Sequence, residues 1–223
     1  MKKYLVIGNP IEHSLSPLIH NYWMKKYNLS DCIYEKRKVE EKDLKNIINK
    51  VRNGEIAGVN VTVPFKQLII PFVDKLDKTA QKTESVNTIF KIKNKVIGYN
   101  TDQIGFSLTI QDFFTPSNKG VMSLPLKEKN IFVLGAGGVT SSIICALENE
   151  GAKIFLSNRT KKKAEDIKRK HQKIKVLDWG KRPLECDIVI NTTSVGLKNH
   201  EKIDIDFSDC DGDKNKLFYD LIY

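Results

Sequence analysis

The run Ile131-Phe132-Val133-Leu134-Gly135-Ala136-Gly137-Gly138-Val139-Thr140, continuing into Ser141-Ser142-Ile143-Ile144-Cys145-Ala146-Leu147, constrains the fold more than any other part of the chain. Four apolar residues ending in a glycine read as a buried parallel strand, and the apolar stretch beyond them reads as the helix that covers it. Gly135 permits the tight turn between the two, and Gly137 lets the backbone approach a pyrophosphate at the helix N-terminus. The spacing is G-x-G-G, with Thr140 standing where the third glycine of the dinucleotide fingerprint falls, so the reading rests on the flanking strand and helix. Such a fold reads the adenosine ribose at the end of the next strand, roughly 20 residues on. Asn158-Arg159-Thr160 stand there. An acidic residue would repel a 2′-phosphate, whereas an arginine offers it a planar fork of donors, so the sequence points to NADP rather than NAD. Lys161, Lys162 and Lys163 either add positive potential to that site or form the solvated start of the following helix.

Around this motif, short β-rich runs alternate with helical stretches, the pattern of βα units and a mostly parallel sheet, so the class is α/β. Strands are expected at Tyr4–Ile7, Cys32–Lys36 and Gly58–Val63, with helices near Pro17–Tyr27 and Glu41–Asn53. Pro17 suits a first helical turn behind Ser16 as a cap. Val86–Ile92 and Lys95–Tyr99 read as a hairpin joined by Lys93-Asn94, and a helix is expected near Gly105–Phe113. The breaker-rich segment from Thr115 to Leu126 places a domain junction in its neighbourhood. A second βα series follows, with strands at Asn130–Leu134, Lys153–Ser157, Lys173–Leu177, Asp187–Asn191 and Leu217–Ile222.

At 223 residues, 40% hydrophobic and 29% charged, the chain can bury a core, and disordered, collagen-like and membrane classes drop out. Its apolar runs are far shorter than the roughly 18 residues a membrane span needs, and Leu5-Val6-Ile7 is broken at once by Gly8-Asn9-Pro10, so no export signal is read. The net charge of +10 is dispersed and not interleaved with aromatics, which disfavours a nucleic-acid partner. Cys32, Cys145, Cys186 and Cys210 form no C-x-x-C pair, so neither a zinc ribbon nor a redox dithiol is encoded, and reduced thiols in the cytoplasm are expected.

In the first half, polar residues gather at strand ends, where an α/β sheet presents its ligands. Ser14 and Ser16 lie on an irregular loop before a helix, as caps or as donors to a carboxylate. His13 orders that loop and His20 lies in the helix, so neither is assigned acid or base work. An alternating strand ended by Pro64 presents Thr62 and Lys66 near its carboxyl end, and Lys66 is a surface lysine or a catalytic one. Asn87 and Asp102 are each explicable as turn residues.

Taken together, G-N-P-I-x-H-S-x-S-P, N-V-T-V-P-F-K, V-N-T, N-T-D-x-x-G, G-A-G-G, N-R-T, N-x-T-S-x-G and Y-D-L-I-Y occur in an order and spacing that resembles the shikimate dehydrogenase family over the whole chain. The resemblance implies an N-terminal α/β substrate-binding domain, residues 1–104, and a Rossmann-type doubly wound parallel-sheet domain, residues 105–223. The implied activity is NADPH-dependent, reversible reduction of 3-dehydroshikimate to shikimate in aromatic amino-acid biosynthesis, by a cytoplasmic monomer or homodimer without metal, membrane or nucleic acid. The alternatives are a quinate/shikimate enzyme using NAD, or an inactive paralogue.

By the same resemblance, Ser14 and Ser16 would hold the substrate carboxylate, and Thr62, Lys66, Asn87 and Asp102 the ring hydroxyls. Lys66, partnered by Asp102, would transfer the proton that an alcohol must lose as its hydride leaves. Gly135, Ala136, Gly137, Gly138, Val139, Asn158, Arg159, Thr160, Lys163 and Thr193 would meet the cofactor. Leu221 would touch the cofactor and Tyr223 the substrate, or Leu221 simply packs on the sheet. The family continues past this strand with a loop and helices that carry a glutamine to the substrate. The chain is therefore expected to be a fragment with weak or no activity.

Overall fold

A computed structural model describes residues 1–114, 125–196, 202–203, 205–207 and 216–221. The chain forms two compact units, Met1–Asp102 and Gln103–Tyr223, and passes from one to the other inside a helix.

In the first unit, six strands lie in the order β2-β1-β3-β5-β6-β4: β1 (Lys2–Gly8), β2 (Cys32–Lys38), β3 (Gly58–Val61), β4 (Lys75–Leu76), β5 (Thr88–Ile92) and β6 (Lys95–Tyr99). β1 runs parallel to both β2 and β3, β5 is antiparallel to β3 and β6, and β4 is parallel to β6. The sheet is thus mixed, with β5 the reversed strand. As a result, the carboxyl ends of β1, β3 and β6 and the amino end of β5 share one edge. Leu5, Val6 and Ile7 are all buried because β1 is covered on both faces, which is why it reads as a continuous apolar run.

The helix α2 (Leu44–Arg52) buries Leu44, Ile47, Ile48 and Val51, the i, i+3, i+4, i+7 stripe of an amphipathic helix. Its entry is a 3-10 turn, Glu41–Asp43, closed by reciprocal side-chain to backbone bonds of Glu40 and Asp43. The helix α1 (Ser16–Lys26) starts one residue earlier than expected, and Leu15, not Ser16, occupies its cap without a side-chain bond. Ser14 instead points its Oγ at the Ser16 N–H, 3.4 Å away. β3 stops at Val61 because the chain turns at Thr62, whose carbonyl accepts from the Phe65 N–H. The short α3 (Lys78–Thr83) and β4 went unread in the sequence. α3 is capped by Asp77 and ends at Glu84 in a left-handed conformation without the glycine that usually marks such a stop. The hairpin turn at Lys93-Asn94 likewise uses Lys93 at φ 53°.

In the second unit, β7 (Asn130–Leu134), β8 (Lys153–Ser157), β9 (Lys175–Leu177), β10 (Ile188–Asn191) and β11 (Leu217–Asp220) form an all-parallel sheet in the order β11-β10-β7-β8-β9. Counted from β7 this is the 3-2-1-4-5 order of a doubly wound dinucleotide fold, whose switch point lies between β7 and β10. α4 (Asp102–Phe114) buries Phe106 and Ile110, and α5 (Thr140–Asn149) buries every residue from Thr140 to Leu147. α6 (Lys161–Lys170) buries only Ala164 and leaves Lys161, Lys162, Lys163 and Lys170 exposed. No helix among the described residues is long and apolar enough to cross a membrane.

Candidate active site

In the first unit, the shared sheet edge collects the polar residues singled out in the sequence. Thr62 N–H donates to the Ile7 carbonyl and Asn9 N–H to the Val63 carbonyl, so the loops after β1 and β3 run side by side. Gly8 makes this approach possible: a Cβ there would lie 2.6 Å from Thr62 Cγ2 and 3.1 Å from the Val63 carbonyl oxygen. Ser14, on the loop that follows Gly8, and Ser16, the first residue of α1, are both half-buried.

The Lys66 ammonium lies 2.7 Å from Asp102 Oδ2 in an ion pair whose side chains are 13% and 19% exposed. The other carboxylate oxygen, Oδ1, accepts from Asn87 Nδ2 at 2.8 Å. Three elements set this geometry. The Lys66 carbonyl accepts from the Val86 N–H, which ties the loop after β3 to the start of β5. Asn87 N–H donates to the Tyr99 carbonyl, which binds that start to the end of β6. Asp102 is the first residue of α4, where a carboxylate is favoured by the helix dipole. Lys66, Asn87 and Asp102 are therefore brought together, whereas each alone passes for a surface or turn residue.

Four further residues shape the site without having been singled out as members of it. Asn100, 2% exposed, donates from Nδ2 to the Ser85 carbonyl and accepts at Oδ1 from the Asp102 N–H, at 3.0 Å in both cases. Thr79 Oγ1 accepts from the Asn100 N–H, so α3 steadies the approach to Asp102. Thr101 Oγ1 accepts from Asn87 Nδ2 at 2.9 Å. Asn60 sends Nδ2 to the Asn87 carbonyl and to Thr88 Oγ1. Its signal was a lone amide in the middle of an otherwise apolar strand.

In the second unit, the glycine turn sits at the switch point. Gly135 has φ +107°, and a Cβ there would meet Thr192 Oγ1 at 2.7 Å and the Thr193 backbone nitrogen at 2.9 Å. A Cβ on Gly137 would meet nothing within 4 Å, which leaves open space above the turn. Thr140, at the place of the missing third glycine, closes the turn instead. Its Oγ1 accepts from the Gly137 N–H, donates to the Gly135 carbonyl and lies 2.9 Å from Thr192 Oγ1.

Asn158 Oδ1 accepts from the Ala136 N–H, joining the end of β8 to the turn. Arg159, Thr160 and Lys163 are exposed just beyond. Lys161 is taken up by Asp178 at 2.6 Å, and this hydrogen bond raises the lysine pKa and lowers the aspartate's. Thr193 Oγ1 donates to Asn191 Oδ1 and accepts from the Val195 N–H, ordering the loop after β10. Leu221 packs on the core of this unit, and its N–H donates to the Asn191 carbonyl. Tyr223 lies outside the described residues.

The residues suit a phosphorylated dinucleotide: a glycine cradle that a side chain would fill, open space at Gly137, and an exposed guanidinium at the end of the second strand. The chain is similar to known proteins along its whole length. The shikimate dehydrogenase substrate binding domain matches residues 6–89, and the shikimate / quinate 5-dehydrogenase domain matches residues 119–221. The shikimate dehydrogenase (NADP(+)) of Pelagibacter ubique is 46% identical over 223 residues, covering 100% of this chain and 79% of that protein. The crystal structure of shikimate dehydrogenase from Aquifex aeolicus superposes with a TM-score of 0.84 at 37% identity, again over 100% of this chain and 79% of that one. A shikimate dehydrogenase solved in complex with NADP+ gives a TM-score of 0.84 at 30% identity, over 100% of this chain and 77% of that one. The paired Lys66 and Asp102 on one sheet edge, the glycine turn at a doubly wound switch point, and these matches place the chain in the shikimate dehydrogenase family.

Proposed function

We propose that the chain is an NADP-dependent oxidoreductase that interconverts shikimate and 3-dehydroshikimate, with residues 1–104 binding the substrate and residues 105–223 the dinucleotide. The observation that carries the reading is the ion pair of Lys66 with Asp102 beside Asn87, in a member of this family. NADP, when bound, supplies the hydride acceptor for the alcohol or, in reduced form, the hydride donor for the ketone. The protein's own share is the proton. As the ring carbon gives up hydride, its hydroxyl must release a proton, and in the reverse direction the forming alkoxide must gain one. The Lys66 side chain does both: as the ammonium it donates to the alkoxide, and as the amine it accepts from the alcohol. Asp102 keeps the nitrogen in place.

Thr62 and Asn87 hold ring hydroxyls at the same edge, and Ser14 and Ser16 hold the carboxylate. Gly135 to Val139 receive the pyrophosphate, Asn158, Arg159 and Thr160 with Lys163 the ribose phosphate, and Thr193 and Leu221 the nicotinamide end. Tyr223 is assigned to the substrate. That Cys32, Cys145 and Cys186 belong to no C-x-x-C pair supports a cytoplasmic setting. The test is NADP reduction followed optically with shikimate, in parallel with quinate and with NAD. The fastest initial rate is expected for shikimate with NADP. A faster quinate and NAD pair, or a protein that binds no NADP in calorimetry, overturns the proposal.

A further inference from the structure

We infer that Tyr34 is a positioning residue for the Lys66–Asp102 pair, acting through Asn60, Thr88 and Asn87; the inference rests on the function proposed above. Tyr34, on β2, is 4% exposed, and its ring is packed with Val6 and Ile11. The His20 ring of α1 stacks on it at 4.2 Å and 11°. The Asn21 side chain bonds both the N–H and the carbonyl of Tyr34, at 3.0 and 2.8 Å. A ring so held has one place for its hydroxyl, which lies 2.6 Å from Asn60 Oδ1.

The direction of every bond beyond that point follows from what each atom can do. The Asn87 carbonyl only accepts, so Asn60 must present its NH2 there, at 3.2 Å, and its Oδ1 to Tyr34. The tyrosine is therefore the donor. The same NH2 donates to Thr88 Oγ1 at 3.1 Å, which commits the Thr88 hydroxyl proton to Asn87 Oδ1 at 3.0 Å. Asn87 Oδ1 also accepts from the Thr101 N–H at 3.1 Å. With its oxygen so occupied, Asn87 can turn only its NH2 to Asp102 Oδ1, leaving Oδ2 for the Lys66 ammonium. One phenolic proton thus helps to orient two amides, and through them the carboxylate that holds the proton-transfer lysine. Because Thr101 pins Asn87 as well, loss of the phenol weakens the arrangement without abolishing it.

The Tyr34→Phe substitution keeps the ring, its packing and its stack, and removes only the donor. Its kcat for shikimate oxidation is expected to fall about ten-fold, with the KM for NADP and the melting temperature close to wild type. Asn60→Ala is expected to cost at least as much, and the double variant no more than Asn60→Ala alone, because the phenol then has nothing to act through. An unchanged kcat in Tyr34→Phe, or multiplying effects in the double variant, overturns the inference. A second measurement needs no turnover: the side-chain amide NMR signals of asparagine-labelled protein. The Asn87 signal is expected to move in Tyr34→Phe, and an Asn87 signal that stays put overturns the inference. A wild type that binds no NADP, but in which that signal moves on Tyr34→Phe, strikes down the proposed function and leaves the positioning role standing.

Discussion

Lys66 and Asp102, 36 positions apart in the chain, meet at 2.7 Å because β3 and β6 end at the same edge of one sheet. Between them runs β5, antiparallel to both, and Asn87, the residue just before it, bonds the other oxygen of the same carboxylate. The ammonium is partly shielded from water and its partner is held from two sides. This is the geometry a proton-transfer group needs, since misplacement by a fraction of a bond length is costly in rate.

If Lys66 has the role proposed for it, removing its nitrogen removes the proton path while most of the binding surface survives. Lys66→Ala is expected to lower kcat by about 100-fold or more and to change the KM for shikimate only several-fold, as steady-state kinetics will show. An unchanged kcat would take Lys66 out of the mechanism.

Arg159 is exposed at the end of β8, where the ribose phosphate is assigned. On the proposed role, Arg159→Ala would lose a charge-assisted, two-pronged contact and is expected to raise the KM for NADP by about 10-fold to 100-fold, with NAD-supported turnover unaffected. Equal losses with both cofactors would relocate the phosphate site.

The two glycines of the turn are expected to separate stability from binding. Gly135→Ala demands a left-handed backbone from alanine and drives its Cβ to 2.7 Å from Thr192 Oγ1. It should destabilise the protein by about 2 kcal/mol or more in denaturant titration. Gly137→Ala meets no protein atom within 4 Å and should leave stability within about 0.5 kcal/mol of wild type, while NADP binding by calorimetry weakens as the methyl enters ligand space.

Asp74 ties α2 to β6, accepting from the Val96 N–H at 2.7 Å and from Arg52 at 2.9 Å. The Val96 bond first, and then Arg52, hold its pKa below the ordinary aspartate value. A carboxyl depressed on folding stabilises the protein above its unfolded pKa of ~3.9 and loses that contribution as pH falls through the lower folded value. Asp74→Ala is expected to cost about 1 kcal/mol at pH near 6, less at pH near 3, in denaturant titrations at the two conditions. A cost that does not shrink in acid would show that the carboxylate charge plays no part.

Much of the fold was legible in the chain itself. β7 and β8 run over the residues expected of them, as does β6, because each is a short apolar or alternating run with clear ends. α2 was equally clear from its four-residue stripe, although its first turn is 3-10 and supplies the cap. The elements that escaped, β4 and α3, are two and six residues long. At that length no period is visible, and the left-handed stop at Glu84 carries no glycine to announce it.

The site divides along the same line. Glycines, an arginine after the second strand and polar residues at strand ends were visible because local backbone and charge demand those residue types wherever such a turn or anion site is built. What tertiary structure alone decided is the short, half-sheltered contact of Lys66 with Asp102, a pairing the motifs only implied, and the further amides that hold that carboxylate still. Asn60, Asn100 and Thr140 act through bonds to residues far away in the chain, or through a turn whose shape depends on the neighbouring β10 loop. Hydrogen bonds between side chains depend on strand order and register, and these are set by burial over a whole sheet rather than by any window of sequence.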